Sequence, residues 1–287
     1  MLVVRTVKEM REACAGAKGV GLVPTMGALH AGHVSLVRAA RARCEMVVAS
    51  IFINPLQFGA GEDFDQYPET LVEDAQVLER EGVDVVFVPS AAEMYPRAQA
   101  TFVQVAGLED RLDGVSRPGH FRGVATVVTK LFNIVTPDLA FFGQKDAVQV
   151  AVLRQMVADL SMAIEIVVCP TVREADGLAM SSRNHYLTAE ERRRAVALFR
   201  GLRAAERLFE QGTRDAGKLQ VAMRKELEGE ADVQVEYAAV VDEWMLAPVT
   251  EAGFGTLLAV AAKVGKTRLI DNVRIGAGDT AWRPGRE

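Results

Sequence analysis

Two histidines and two glycines stand together early in the chain, in the segment 24–33 (PTMGALHAGH). The histidines, His30 and His33, are three residues apart, and Gly27 and Gly32 accompany them. Either imidazole can donate a hydrogen bond to a phosphate oxygen as negative charge develops there, and glycine lets the backbone approach a ligand closely. The grouping predicts a phosphate-binding site. A zinc site is the weaker alternative, because no acidic or cysteine ligand lies near in sequence.

Two further segments carry polar groups suited to the same kind of ligand. Neutral amides at Asn54 and Gln57 can bond hydroxyl and carboxylate groups, although Asn54 followed by proline is also typical of a simple turn. Lys145, in the segment 142–149, is a point charge at a predicted helix start and suits triphosphate oxygens. The alternative for that lysine is an ion pair with Asp146.

A fourth segment, 172–184, contains Ser181, Ser182 and Arg183. Two hydroxyls beside a guanidinium can form a phosphate clamp that closes over a triphosphate. The same stretch also fits a linker between domains.

Two other groups are expected to have supporting roles. The arginines of the segment 116–123 are predicted to support the ligand crevice or a dimer contact. Four carboxylates are predicted to form a solvated face from which Mg²⁺ can recruit one ligand, namely Asp65, Glu69, Glu73 and Asp74.

The elements that must position these residues alternate between strand and helix. Apolar runs predict strands at 20–24, 46–53, 83–88, 139–142 and 163–168, and helices at 33–43, 70–81, 123–133 and 147–159. This alternation predicts a doubly wound, Rossmann-like α/β domain with a parallel sheet. Ligands bind such sheets at the carboxyl ends of the strands, where a helix amino terminus also offers unpaired N–H groups to phosphate.

The composition changes after residue 176. A capping-box pattern at Thr188 predicts helix from there to about residue 229, and strands are predicted at 233–241, 256–264 and 269–275. We therefore expect two domains, 1–175 and a smaller α+β domain, 176–287.

Composition excludes several classes of protein. The 287 residues contain 33 lysines and arginines against 38 aspartates and glutamates, a net charge of −5, which disfavours a nucleic-acid partner. No apolar run approaches the ~20 residues of a membrane helix, and no secretory leader is evident after Met1. The cysteines at 14, 44 and 169 have neither disulfide nor zinc spacing. A cytoplasmic protein with inert thiols is expected.

The motifs also carry a family resemblance. His-x-Gly-His after a strand looks like the signature of the nucleotidylyltransferase superfamily, and the segment 172–184 resembles that superfamily's Lys-Met-Ser-Lys-Ser loop in degenerate form. Ala179 stands in place of the first lysine and Arg183 in place of the second. From about residue 20 onward the chain resembles the pantothenate synthetase (pantoate–β-alanine ligase) family, in which this departure is expected.

The resemblance implies a set of ligand contacts. The residues it assigns to ATP are Met26, Gly27, Ala28, Leu29, His30, Ala31, Gly32, His33, Gly143, Gln144, Lys145, Asp146, Val172, Met180, Ser181, Ser182 and Arg183. Within this set, His30, His33, Lys145 and Arg183 are the catalytic candidates. It assigns Gln57 and Gln149 to pantoate, with Gln57 later beside β-alanine, and Asn54 joins them as a candidate substrate contact. It further implies Mg²⁺ with ATP, a homodimer, an ATP- and pantoate-binding domain 1–175, and a lid domain 176–287.

The implied reaction has two steps, in which pantoate is adenylated by ATP and the adenylate is then captured by β-alanine. Two alternatives stay open. A nucleotidylyltransferase with a phosphorylated acceptor would want more Arg or Lys where this chain has Asn54, Gln57 and Gln149. A non-enzymatic nucleotide-binding regulator should have lost a phosphate-contacting element, and each element is present here.

Overall fold

A computed structural model of the protein describes residues 1–59, 64, 67, 68 and 70–276. The strands are β1 (Leu2–Val4), β2 (Val20–Thr25), β3 (Met46–Ile51), β4 (Val85–Phe87), β5 (Leu139–Gly143), β6 (Glu165–Cys169), β7 (Val233–Asp242), β8 (Thr256–Val264) and β9 (Thr267–Arg274). The helices are α1 (Val7–Cys14), α2 (Ala31–Arg43), α3 (Leu71–Arg80), α4 (Ala91–Met94), α5 (Asp113–Ser116), α6 (His120–Val135), α7 (Ala147–Asp159), α8 (Ala189–Ala195), α9 (Ala197–Glu210) and α10 (Ala216–Glu228). Asp65 and Glu69 lie outside the described residues.

The chain divides into two compact units, the first being Met1–Gly143 with Val152–Cys169. In its described residues, six parallel strands are ordered β1-β4-β3-β2-β5-β6. The predicted parallel α/β fold is thus confirmed. From β2 the chain runs outward through β3 to β4, and it then returns to the other side of β2 as β5. The order therefore reverses between β2 and β5, and ligands bind outside the strand ends at such a switch point.

The buried strands were the easier part of this sheet to predict. β2 and β3 are almost wholly buried, as expected of strands covered on both faces. Residues 20–24 form a buried strand as predicted, but the prediction missed β1, which precedes it and pairs with β4. Only Val4 of its three residues is buried, so this short edge strand has no extended apolar run to reveal it.

The second unit comprises Gln144–Ala151 and Pro170–Glu287. In its described part, β7, β8 and β9 form an antiparallel sheet, and apolar side chains of α9 and α10 share one core with β8. Thr188 caps α8 through the predicted capping box, and the helical stretch predicted to reach about residue 229 consists of α8, α9 and α10. The predicted boundary at residue 175 remains a prediction.

The structure also describes the three cysteines, which were expected to be inert, and the lengths of the helices. All three thiols are free, and burial raises the pKa of Cys14, Cys44 and Cys169, so they stay protonated and poorly nucleophilic. None of the helices in the described part of the chain is both long and apolar enough to cross a bilayer.

Candidate active site

The two motif histidines form the start of α2. His30 is the N-cap residue, and its Nδ1 accepts a hydrogen bond from the Gly32 N–H at 3.1 Å. The Nδ1 of His33 accepts from the His30 N–H at 3.3 Å, and the two ring centroids are 4.1 Å apart. α2 begins at Ala31, two residues before the predicted helix start at residue 33, and His30 precedes it. Since each Nδ1 is an acceptor, geometry assigns the proton of each neutral ring to Nε2.

The loop before this cap is held by Asp74. Its carboxylate accepts the N–H groups of Ala28 and Leu29 at 2.9 and 2.8 Å and the Thr70 hydroxyl at 3.0 Å. Ala28 has a left-handed φ of 50°, and Gly27 has 86°. A Cβ on Gly27 would lie 3.0 Å from the carboxylate, so only glycine fits comfortably between this turn and Asp74.

Two expectations about this region need correction. Asp74 is 3% exposed and so does not belong to a solvated face, whereas its neighbour Glu73 is exposed as predicted. The N–H groups of Ala28, Leu29 and Gly32 donate to protein groups and are not open to phosphate. The ring atoms that take part in the two backbone contacts of the histidines are the Nδ1 nitrogens of His30 and His33.

Asp74→Asn should lower the free energy of unfolding by about 1–3 kcal/mol, because an amide offers one acceptor to donors that now share two carboxylate oxygens. The measurement is chemical denaturation followed by circular dichroism. Glu73→Gln is the matched control, since it makes the same chemical change one residue away on an exposed side chain. Equal stability of the two variants would contradict the role given to Asp74.

A chain of hydrogen bonds orients Gln57. Tyr95 donates its hydroxyl proton to Asn54 Oδ1 at 2.7 Å, and Asn54 Nδ2 donates to Gln57 Oε1 and to the Gly123 carbonyl, both at 3.2 Å. Gln57 Nε2 then points to Met26 Sδ at 2.9 Å. Burial raises the pKa of Tyr95 well above its usual value, so the hydroxyl stays a donor.

This arrangement separates the roles of the two amides. Asn54 is 1% exposed, and its amide hydrogens and its oxygen are bonded to protein groups. It therefore positions Gln57. Tyr95 was missed from sequence, since nothing in its surroundings marks it as a partner of a residue 41 positions earlier.

The start of α6 supports the backbone of Gln57. Nδ1 of His120 lies 2.7 Å from the Gln57 carbonyl oxygen, and Arg117 Nη1 lies 2.9 Å from His120 Nε2. These contacts agree with the supporting role expected of the segment 116–123. A Cβ on Gly123 would lie 2.2 Å from the Leu56 carbonyl oxygen, so glycine permits this close approach.

In the second unit, Lys145 lies in the 3₁₀ helix Gln144–Asp146 that precedes α7. Its Nζ is 3.3 Å from Asp146 Oδ1, so the ion pair weighed as the alternative is present. Gln149 is half-buried on the first turns of α7.

The segment 172–184 is an ordered hairpin and not an open linker. The Met180 N–H donates to the Val172 carbonyl at 3.0 Å, and the Ser181 hydroxyl caps the 3₁₀ helix Ser182–Tyr186 by accepting the Arg183 N–H at 3.2 Å. Arg192 hydrogen-bonds Asp176 at the hairpin tip and holds the pKa of that carboxyl below its usual value. The Asp176 carboxyl therefore stays ionised to a lower pH than an isolated aspartate does.

A buried ion pair joins this hairpin to β9. Arg173 Nη1 and Nη2 donate to the two carboxylate oxygens of Asp271 at 2.6 and 3.1 Å. The side chains are 2% and 1% exposed, and the guanidinium also lies 4.6 Å from the centre of the Phe199 ring. Sequence reasoning missed the pair, whose members are 98 residues apart.

The predicted site residues fall in both units. The first unit holds Met26, Gly27, Ala28, Leu29, His30, Ala31, Gly32, His33, Asn54, Gln57 and Gly143. The second holds Gln144, Lys145, Asp146, Gln149, Val172, Met180, Ser181, Ser182 and Arg183. Within the first unit, hydrogen bonds join His30 to His33, Asn54 to Gln57, and Gln57 to Met26. Within the second unit, they join Lys145 to Asp146, Met180 to Val172, and Arg183 to Ser181.

A parallel sheet whose order reverses beside a capped helix start places the chain among the nucleotide-binding α/β proteins. The sequence model of the family described as pantoate-beta-alanine ligase matches residues 2–274, and the chain belongs to that family.

Named relatives extend the comparison. The pantothenate synthetase of Acidobacterium capsulatum is 58% identical over 268 residues, covering 93% of this chain and 90% of that protein. The crystal structure of pantothenate synthetase from Thermus thermophilus is 45% identical with a TM-score of 0.91, over 96% of this chain and 99% of that one. Pantoate-beta-alanine ligase from Francisella tularensis, solved with beta-gamma ATP and beta-alanine, is 32% identical with a TM-score of 0.78, over 98% and 100%.

Proposed function

We propose that this chain condenses pantoate with β-alanine, using ATP and releasing AMP and pyrophosphate, through a pantoyl-adenylate intermediate. The observation that carries the proposal is the paired-histidine cap, which turns two imidazole Nε2–H groups into donors at the sheet's switch point. Family membership and the Francisella tularensis complex with beta-gamma ATP and beta-alanine support the choice of substrates.

In the first step, a carboxylate oxygen of pantoate bonds to the α-phosphorus of ATP as the bond to pyrophosphate breaks. Such a transfer depends on in-line positioning and on stabilisation of phosphate charge. We assign His33, through Nε2–H, a hydrogen bond to the departing pyrophosphate, and His30 a second donor to the phosphates. In the tautomer whose Nδ1 accepts the backbone N–H, Nε2 carries the hydrogen that this role requires.

In the second step, the β-alanine amine attacks the acyl carbon of the adenylate, the acyl–oxygen bond breaks, and AMP leaves as the amine loses a proton. We assign Gln57 a contact with pantoate, since Asn54 and Tyr95 fix its amide orientation. An amide recognises hydroxyl and carboxylate groups, whereas a phosphorylated acceptor would favour a cation. Gln149 is assigned to pantoate by family resemblance.

The remaining ATP contacts follow from the same resemblance. We assign Lys145 and Arg183, with the hydroxyls of Ser181 and Ser182, to the phosphates. Residues 1–175 would then form the ATP- and pantoate-binding domain, and 176–287 a lid that protects the adenylate from water.

Magnesium enters this proposal as part of the substrate, ATP·Mg²⁺. In the described part of the chain, no group of three or more His, Cys, Asp or Glu side chains could hold a metal ion, and the Asp74 carboxylate already accepts three hydrogen bonds. Mg²⁺ commonly takes its ligands from substrate phosphates and water, so we assign it no protein ligand. A homodimer and a cytoplasmic location belong to the proposal on family grounds.

The proposal predicts that the purified chain exchanges labelled pyrophosphate into ATP only when pantoate is present, before any β-alanine is added. Reversal of the adenylation step is the physical reason, since it regenerates ATP from bound adenylate and free pyrophosphate. Exchange that is equally fast without pantoate, or absent with it, would overturn the adenylate pathway. Addition of β-alanine should then yield pantothenate and AMP in equal amounts.

A further inference from the structure

Asn272 is a buried polar residue on β9 that the proposed reaction does not use. It is 4% exposed, and its side chain meets the backbone of the 3₁₀ helix that carries Lys145. We infer that Asn272 is a positioning residue for Lys145, acting on ATP through that lysine. The inference rests on the proposed role of Lys145 at the phosphates.

Three hydrogen bonds define the contact. Asn272 Nδ2 donates to the carbonyl oxygens of Gln144 and Lys145 at 3.0 and 2.8 Å, and its Oδ1 accepts from Gln144 Nε2 at 2.9 Å. Both amide hydrogens and the amide oxygen are therefore bonded to one turn of backbone and one side chain. Neither a carboxylate nor a hydroxyl can supply two donors and one acceptor in this arrangement.

Asn272 is itself held in place. Its backbone N–H donates to Asp271 Oδ1 at 2.8 Å, and Arg173 Nη2 donates to its carbonyl oxygen at 3.3 Å. The buried Arg173–Asp271 ion pair thus holds Asn272 in place, and Asn272 in turn holds the backbone of the 3₁₀ helix that carries Lys145. The same guanidinium belongs to the hairpin segment 172–184, so one network fixes two segments that are assigned to ATP.

The contact of Asn272 with this backbone is important because the lysine ammonium lies at the end of a flexible four-carbon side chain. The Lys145 side chain is 20% exposed and lies beside Asp146, so the backbone position determines where the ammonium can reach. A small displacement of a positioning group costs catalytic rate even when it lies far from the reacting atoms.

The test combines Asn272→Ala with Lys145→Ala in a double-mutant cycle, using pantoate-dependent pyrophosphate exchange and KM for ATP. We expect Asn272→Ala to raise KM for ATP about tenfold and to change KM for pantoate little. In the Lys145→Ala background, the same replacement should change KM for ATP less than about twofold, because coupled residues are not additive. Asn272→Asp, of nearly the same size, should resemble Asn272→Ala, because its oxygens would face two carbonyls.

Asn133→Ala is the matched control. Asn133 is an exposed asparagine whose amide donates to the carbonyl of Thr129, one turn earlier in the same helix, so its replacement should leave KM for ATP unchanged. Thermal unfolding of every variant separates folding from positioning. A lower melting temperature with an unchanged KM for ATP would overturn the inference, as would equal effects of Asn272→Ala with and without Lys145. A wild-type chain lacking pantoate-dependent exchange would instead overturn the proposed function, and this inference with it.

Discussion

Replacement of His33 by asparagine should lower kcat for pantothenate formation by about 10²–10³-fold, the usual cost of removing one preorganised donor from developing charge. Asparagine places its oxygen near the position of Nδ1 and can still accept the His30 N–H, which now lies 3.3 Å from that nitrogen. Nothing then occupies the position of Nε2. The variant therefore removes the donor and keeps the cap.

Two further measurements make this result specific. His33→Gln extends an amide toward the position of Nε2, so it should retain more activity than His33→Asn although its shape fits the cap less well. Thermal unfolding followed by circular dichroism should show that His33→Asn melts close to the wild-type temperature. Wild-type turnover in His33→Asn would refute the assigned donor, and a large loss of stability would show that the ring acts mainly as a cap.

Asp271→Asn should lower the free energy of unfolding by about 3–5 kcal/mol, because it leaves the Arg173 charge buried without its counter-charge. The pair is almost completely shielded from water, with side chains 2% and 1% exposed. The substitution keeps the shape of the side chain, so the loss reports charge and not volume. Urea denaturation of the full chain, followed by circular dichroism, measures it.

The chain offers a matched control on the same strand. Arg274 pairs with Glu243 at 2.6 Å, but the arginine side chain is 42% exposed, and exposed pairs contribute about 0–1 kcal/mol. Arg274→Ala should therefore change stability little. Similar losses of unfolding free energy in Asp271→Asn and Arg274→Ala would show that the buried Arg173–Asp271 pair contributes no more to stability than the exposed pair does.

The secondary structure was largely predictable because its signals are local. The apolar run at residues 46–53 is enough to predict a strand, and the capping pattern at Thr188 is enough to predict a helix start. The ends of the predicted helix 123–133 differ from those of α6 by three residues at most. β1 lacks such a local signal, because what identifies it as a strand is its pairing with the distant β4.

The motifs of the candidate site could be predicted from the sequence, but the residues that hold those motifs in place could not. Segment 24–33 identified the histidines, but the carboxylate that holds their loop is Asp74, more than 40 positions later. Asn272 meets Lys145 across 127 positions. A single sequence does not reveal which buried polar residue a distant loop will meet, because that is decided by tertiary packing.

The histidine cap has a consequence for the behaviour of the chain in acid. Protonation of an imidazole places a hydrogen on Nδ1, the atom that accepts a backbone N–H in both His30 and His33. Two protonated rings would also repel each other across 4.1 Å. Protonation of either ring would therefore remove one backbone acceptor at the start of α2 and would change the charge that the ring offers to the nucleotide.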